Sequence, residues 1–189
     1  GKWYMMAWNK LCRKDFLLKY DLLFEEGLIH EDVLWSFKLA CRAESMYVVN
    51  ETTYKYTIRA NSIMTAAKID KDAREYVRVF GLMSEYAKGD SKLRNDKSVY
   101  SIVEGRKSTM LFSLLSKGRK DLYKLLYPEV VKTCYITVWQ AFNNGIIGTK
   151  YLLRDFHYVL PVSLGRMYKS LFYVIVYKML GISLDGTLW

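Results

Sequence analysis

Proline is nearly absent: Pro128 and Pro161 are the only two in 189 residues. A chain with so few helix breakers can run long stretches as helix. Cysteine is scarce and unpaired in pattern. Cys12, Cys41 and Cys134 are an odd number at wide spacing, which gives neither a disulfide framework nor a zinc-ligand motif and reads as reduced thiols of a cytoplasmic protein. No apolar run approaches the roughly 20 residues that span a bilayer, and there is no internal repeat or low-complexity segment. The opening Gly1-Lys2-Trp3 has neither an initiator methionine nor the regions of a signal peptide, so the chain reads as a fragment of a longer protein. There is no Gly-aromatic RNA motif or helix-turn-helix signature, which argues against nucleic acid as a partner.

What is present is apolar, aromatic and basic. Half the residues are hydrophobic (51%) and 15% are aromatic, with 16 tyrosines, a supply of half-polar rings that suits a core, a sugar-binding surface or a membrane interface. The net charge of +10 is uneven. Residues 1–64 hold nine basic and eight acidic side chains, whereas residues 65–189 hold twenty and eleven. A basic excess of that size marks a polyanion partner, and an anionic membrane surface ranks above nucleic acid.

The most informative stretch is Phe24-Glu25-Glu26-Gly27-Leu28-Ile29-His30-Glu31-Asp32-Val33-Leu34-Trp35. A glycine turn leads into an apolar-periodic segment in which Leu34, Phe37 and Cys41 share a face, predicting a helix from about Glu31 to Arg42. Its first turn carries Glu31 and Asp32. The helix dipole favours their ionised form there, and an ionised carboxylate is what a general base requires. Before it, Lys10 to Tyr20 reads as a short helix. After it, Ser45–Asn50 and Thr52–Ile58 are β-branched and aromatic runs that read as two short strands. From Ile63 onward the pattern is helical: a long amphipathic stripe from Ile69 to Ala87 stopping at Gly89, a polar connector over Lys88–Lys97, a helix over Val99–Ser116, a short piece over Leu122–Leu126 before Pro128, and a further helix over Val130–Asn143. Beyond Lys150, Leu171–Val176 is flanked by Arg154, Arg166, Lys169 and Lys178, which reads either as a basic amphipathic helix lying on a membrane or as a core helix with a solvated basic rim.

The succession Trp8-Asn9-Lys10-Leu11, Phe24-x-x-Gly27, Glu31-Asp32-x-x-Trp35 and Tyr54-x-Tyr56-x-x-Arg59-x-x-Ser62 resembles the C-terminal half of the catalytic domain of family 2 glycosyltransferases, the inverting GT-A-fold enzymes that build bacterial polysaccharides. The resemblance covers roughly the first third of the chain, and its specificity lies in the order and spacing of the blocks. It implies an α+β, mainly α fold: the acceptor-side tail of a GT-A domain with short strands over residues 1–64, then a helical region over 65–189. It implies transfer of a sugar from a nucleotide-sugar donor to a saccharide or lipid-linked acceptor at the cytoplasmic face of the membrane. Asp32 would be the base, with Glu31 orienting the acceptor or capping the helix. Trp8, Lys10 and Trp35 would line the acceptor pocket, and Arg59 would lie near the donor diphosphate. The family's frequent histidine after the tyrosines is missing here.

A divalent metal, Mg or Mn, and the acidic motif that holds it would belong to the part of the enzyme upstream, so this chain alone would be inactive. The residues taken singly also fit a non-catalytic helical module at a membrane surface or protein interface, in which Glu31-Asp32 only starts a helix, Trp8 and Trp35 are core anchors and Arg59 ends a strand.

Overall fold

The computed structural model describes residues 4–55, 57 and 69–181, without the side chains of Ile69, Tyr177 and Lys178. The described residues are helical and contain no strand, which corrects the expected α+β fold. Over their described residues, both segments read as strands fail for one reason. Residues 45–55 carry strand-forming side chains but lie exposed and without regular structure, and strand propensity is expressed only where a neighbouring strand takes the backbone hydrogen bonds. Tyr56 and Ile58 of the second segment, with Arg59 and Ser62, lie outside the described residues.

The chain forms two compact units that meet between Val79 and Phe80, inside one helix, and each unit is built differently. The first contains a 3-10 turn over Ala7–Asn9, α1 (Lys14–Lys19), α2 (Glu31–Arg42) and the first half of α3 (Ile69–Gly89). α2 has the predicted bounds. Its inward face buries Val33, Leu34, Trp35, Phe37 and Leu39. Leu22, Trp35 and Leu39 form a small core against which Ala7, Cys12, Phe16, Leu17 and Tyr20 pack. Burying such side chains is worth about 1.5–3 kcal/mol each, which is what holds a six-residue helix as short as α1 in place. Ser36 is fully buried and its hydroxyl donates to the Met5 carbonyl at 2.5 Å, pinning the N-terminal segment to α2.

The second unit holds the rest of α3, then α4 (Ser91–Arg94), α5 (Lys97–Ser116), α6 (Lys120–Lys132), α7 (Val138–Asn143), α8 (Thr149–Asp155), a 3-10 turn over Phe156–Val159, and α9 (Val162–Tyr173), which continues as a wider π-type turn over Val174–Met179. α5 is the central element, with buried residues from Val99 to Leu114. Side-chain caps begin several helices: Asp90 accepts from the amides of Lys92 and Leu93, Asp96 from those of Ser98 and Val99, and Thr137 and Gln140 form a capping box on α7. α9 packs closely against the 3-10 turn at Gly165, where an added Cβ would stand 2.5 Å from the His157 carbonyl oxygen and 2.6 Å from the Tyr127 hydroxyl. Only a residue without Cβ permits that approach.

The helices expected on either side of Pro128 are arranged otherwise. α6 runs through the proline, and the segment beyond it breaks at Thr133. Leu122, Leu126 and Val130 make one buried stripe, and Tyr123 and Tyr127 widen it. The apolar face therefore continues across the proline, and its burial outweighs the single helical hydrogen bond that Pro128 cannot donate.

Candidate functional site

In the first unit the acid pair enters from a turn of unusual backbone. Gly27 has φ +68° and His30, immediately before α2, has φ +66°, a left-handed conformation that is uncommon for a residue with a side chain. Three residues of α3 hold this turn. The His30 ring stacks on Tyr76 with centroids 4.2 Å apart, its Nε2 lies 3.8 Å from Asp72 Oδ1, and Arg78 Nη1 donates to the Gly27 carbonyl at 3.1 Å. Sequence reasoning missed Asp72, Tyr76 and Arg78. Their signal was weak, one polar or aromatic residue per turn of a long helix, and their role depends on a contact more than forty residues back along the chain.

Asp32 is half-buried and Glu31 is exposed. Burial, and then the charge of Glu31, raises the Asp32 carboxyl above its ordinary value, while a positive charge on His30 and the Val33 amide oppose the shift. The helix dipole alone predicts the reverse, and loss of water outweighs it. A carboxylate with a raised pKa is a stronger base than an ordinary one.

Lys10 lies near enough for its charge to act on Asp32, and burial lowers its own pKa while Cys12 and Asp32 oppose that shift. Its ammonium is held by the chain itself, donating to the carbonyl of Tyr4, to that of Met6 at 2.7 Å and to Asn9 Oδ1 at 2.8 Å. Those three bonds match the three hydrogens of an ammonium group. Lys10 thus staples the N-terminal segment and sets positive charge beside the carboxylate.

Trp8 is 44% exposed and stacks on Tyr54, with centroids 4.4 Å apart and planes at 21°. Two blocks forty-six residues apart in sequence thereby form one exposed aromatic surface beside Lys10. Trp35 is 6% exposed; its indole stacks on Phe24 and donates to the Leu22 carbonyl at 3.0 Å, so it anchors α2 from within. Trp35→Phe should cost about 1–3 kcal/mol by leaving that carbonyl unsatisfied, and Trp8→Ala about 0.5–1.5 kcal/mol, the worth of its stacked pair with Tyr54; thermal melts of the two variants check both. Arg59 lies outside the described residues. Among the described residues no group of three or more His, Cys, Asp or Glu side chains stands together to hold a metal ion.

The second unit contains a buried ionic network. Lys107 donates to Glu104 Oε1 and to the Thr133 carbonyl, both at 2.9 Å, and the Tyr158 hydroxyl donates to Glu104 Oε2 at 2.6 Å. Asp155 accepts from Arg154 Nε at 2.8 Å, from Arg154 Nη2 at 2.5 Å and from the Tyr100 hydroxyl at 3.0 Å. Lys169 donates to Ser108 Oγ at 2.8 Å and to the Arg154 carbonyl at 3.0 Å, with Asp155 Oδ1 3.9 Å away. His157 is bonded through Nδ1 to the Tyr127 hydroxyl at 2.8 Å. Burial, then Lys169, Arg154 and Lys107, pushes its pKa well down, so it is neutral.

This network corrects the basic face expected on the last helices. Arg154 is 6% exposed and Lys169 is 0% exposed, so neither reaches a membrane, while Leu164, Met167 and Leu171 of the same region are exposed. No described helix is long and apolar enough to cross a membrane. The available sequence signal was the position of Glu104 and Lys107 on the same stripe of α5 as Tyr100, Val103 and Leu111, where charge survives only if it is paired.

Burial lowers Lys169 from its ordinary 10.5 to about 7, against the pull of Asp155. Between those values the unfolded chain holds a proton that the folded chain has released, so this group makes stability rise with pH, by up to about 1.4 kcal/mol per pH unit. The stability of Lys169→Met relative to the parent should therefore be greatest near pH 6 and shrink as the pH approaches 10. Urea unfolding across that range reads the difference.

No protein-family model, curated protein or solved structure matches this chain.

Proposed function

We propose that this chain is the acceptor-side part of an inverting glycosyltransferase that moves a sugar from a nucleotide-sugar donor to a saccharide or lipid-linked acceptor. The observation that carries the reading is Asp32, a half-buried carboxylate in the first turn of α2, raised in pKa by its surroundings and within electrostatic reach of Lys10, which follows Trp8 of the exposed Trp8–Tyr54 ring pair by two residues. A saccharide needs both features, an aromatic face for its C–H surface and a base for the attacking hydroxyl. As the new bond to the anomeric carbon forms, the hydroxyl proton passes to the Asp32 carboxylate and the nucleoside diphosphate departs from the opposite side. Lys10, fixed by backbone carbonyls, supports the ionised state of Asp32. Glu31, exposed at the same helix start, would orient the acceptor.

The donor site and its divalent metal would belong to an upstream region, and no step assigned to this chain passes through a metal. The coding sequence preceding Gly1 tests the proposal. Alternating strands and helices that end in an Asp-x-Asp-like motif are expected; a start codon at this point or an unrelated preceding domain would overturn the reading.

A further inference from the structure

The buried network of the second unit is not balanced in charge. Arg154, Lys107 and Lys169 stand against Glu104 and Asp155, and these five are, with neutral His157, the buried ionisable side chains other than tyrosine among the described residues. With Lys169 protonated, one positive charge is in excess in a region where charge is costly, and burial accordingly lowers the Lys169 pKa to about 7. Beside it lies a cleft of about 510 Å³ whose lining includes Ser101, Ser108, Lys150 and Arg154 together with Phe172 and Val176.

Ser101, Ser108, Lys150 and Arg154 can donate into this cleft, while Thr109 in its lining spends its hydroxyl hydrogen on the Gly105 carbonyl at 2.9 Å. Arg154 spends Nε and Nη2 on Asp155, and its plane is fixed further by the Tyr151 ring, 4.9 Å from the guanidinium carbon. Its Nη1 lies beside Gly105, at 3.7 Å from the position a Cβ would take; a longer side chain there would cover it. Ser108 accepts from Lys169 through Oγ, so its own hydroxyl hydrogen remains to be donated. Ser101 and Lys150 are exposed at the rim. Four donors around a basic wall, with an apolar remainder, match a group bearing three acceptor oxygens and negative charge joined to an apolar substituent.

We propose that this cleft binds a phosphate ester carrying an apolar group, the phosphate on Arg154, Ser108, Ser101 and Lys150 and the apolar group against Phe172 and Val176. The site stands in the second unit and does not depend on the transferase reading. The anion balances the charge of protonated Lys169, which is bonded to Ser108 of α5 and the Arg154 carbonyl of α8 and faces Asp155 and Arg154 of α8, Glu104 and the Phe112 ring of α5, and His157 of the adjoining turn. Because burial lowers the Lys169 pKa to about 7, an anion bound near it should raise that pKa again and draw a proton in.

Isothermal titration of the 189-residue chain with hexyl phosphate, inorganic phosphate and hexanol tests the assignment. Hexyl phosphate should bind, inorganic phosphate more weakly, and hexanol not at all. Lys150→Glu, at an exposed position, should weaken hexyl phosphate at least about tenfold, the usual cost of losing one charge-assisted contact, and Gly105→Met should abolish binding by filling the cleft. Binding of hexyl sulfate, whose charge is constant near neutrality, should be accompanied by net proton uptake by the protein at pH 7, read from the difference in heat between buffers of unlike ionisation enthalpy. That uptake should vanish in Lys169→Met. Displacement of hexyl phosphate by phosphatidic acid vesicles would place the ester in a lipid, and no displacement would place it in solution; both support the site. Hexanol binding as tightly as hexyl phosphate, unchanged affinity in folded Lys150→Glu, proton uptake that persists in Lys169→Met, or no binding of hexyl phosphate at millimolar concentration would overturn it.

Discussion

Asp155→Ala is expected to remove about 3–5 kcal/mol of stability, the cost of breaking a buried ion pair by deleting one partner. Asp155 is fully buried and receives two hydrogen bonds from Arg154 and one from Tyr100, with Lys169 at 3.9 Å. Without it, three buried cations face Glu104 alone, and the Tyr100 hydroxyl loses its acceptor. A domain is stable by only about 5–15 kcal/mol, so the variant should unfold at far lower urea than the parent. Asp155→Asn keeps the shape and one acceptor oxygen and should lose less. Raising the pH from 6 to 9 should return part of the loss, because Asp155 holds the Lys169 pKa up in the parent, and once Lys169 is neutral in both proteins its attraction to Asp155 no longer favours the parent. A loss below about 1 kcal/mol in Asp155→Ala would mean that water already screens the network, against the burial described.

Local patterns were legible in the sequence, and long-range pairing was not. α2 has the bounds Glu31–Arg42 that its apolar spacing and first-turn acids indicate, and α5 begins only two residues before the expected Val99, because each helix carries its own start signal and its own buried stripe. Pro128 misled because a proline's local cost is visible in sequence while the stripe that outweighs it, from Leu122 to Val130, is realised only on packing. The runs between Ser45 and Tyr54 have strand-forming side chains, but a strand's partner is not written in its own residues. Lys169 was assigned to solvent because lysine almost always belongs there. Its carboxylate partner lies fourteen residues earlier and its hydroxyl partner sixty-one residues earlier, and neither is visible from α9. At the candidate site the acid pair was legible, whereas His30, Tyr76, Asp72 and Arg78, which hold the turn, were not; left-handed backbone at a histidine has no sequence signature comparable to that of Gly27.

Asp32→Asn, introduced into the longer protein that the proposed reaction requires, should lower turnover by about 10²–10⁴-fold, the usual worth of a positioned general base. Binding of the nucleotide-sugar donor should be unchanged, since the substitution nearly preserves shape. Stability discriminates further. Burial raises the Asp32 pKa, so the folded state binds this proton more tightly than the unfolded chain does, and the group's ionisation costs stability as pH rises through the folded value. The asparagine variant should accordingly melt at the same temperature as the parent or slightly above it at neutral pH, whereas a carboxylate serving only to cap α2 would leave its variant less stable. The pH profile carries the same sign. Because the base must be ionised, the acid limb of kcat/KM should lie above the ordinary aspartate value and should be absent from the residual activity of Asp32→Asn. Glu31→Gln, at an exposed position, should chiefly raise the KM for acceptor with a smaller effect on turnover. Wild-type turnover in Asp32→Asn would end the assignment, and loss of turnover in Glu31→Gln alone would transfer the base to Glu31.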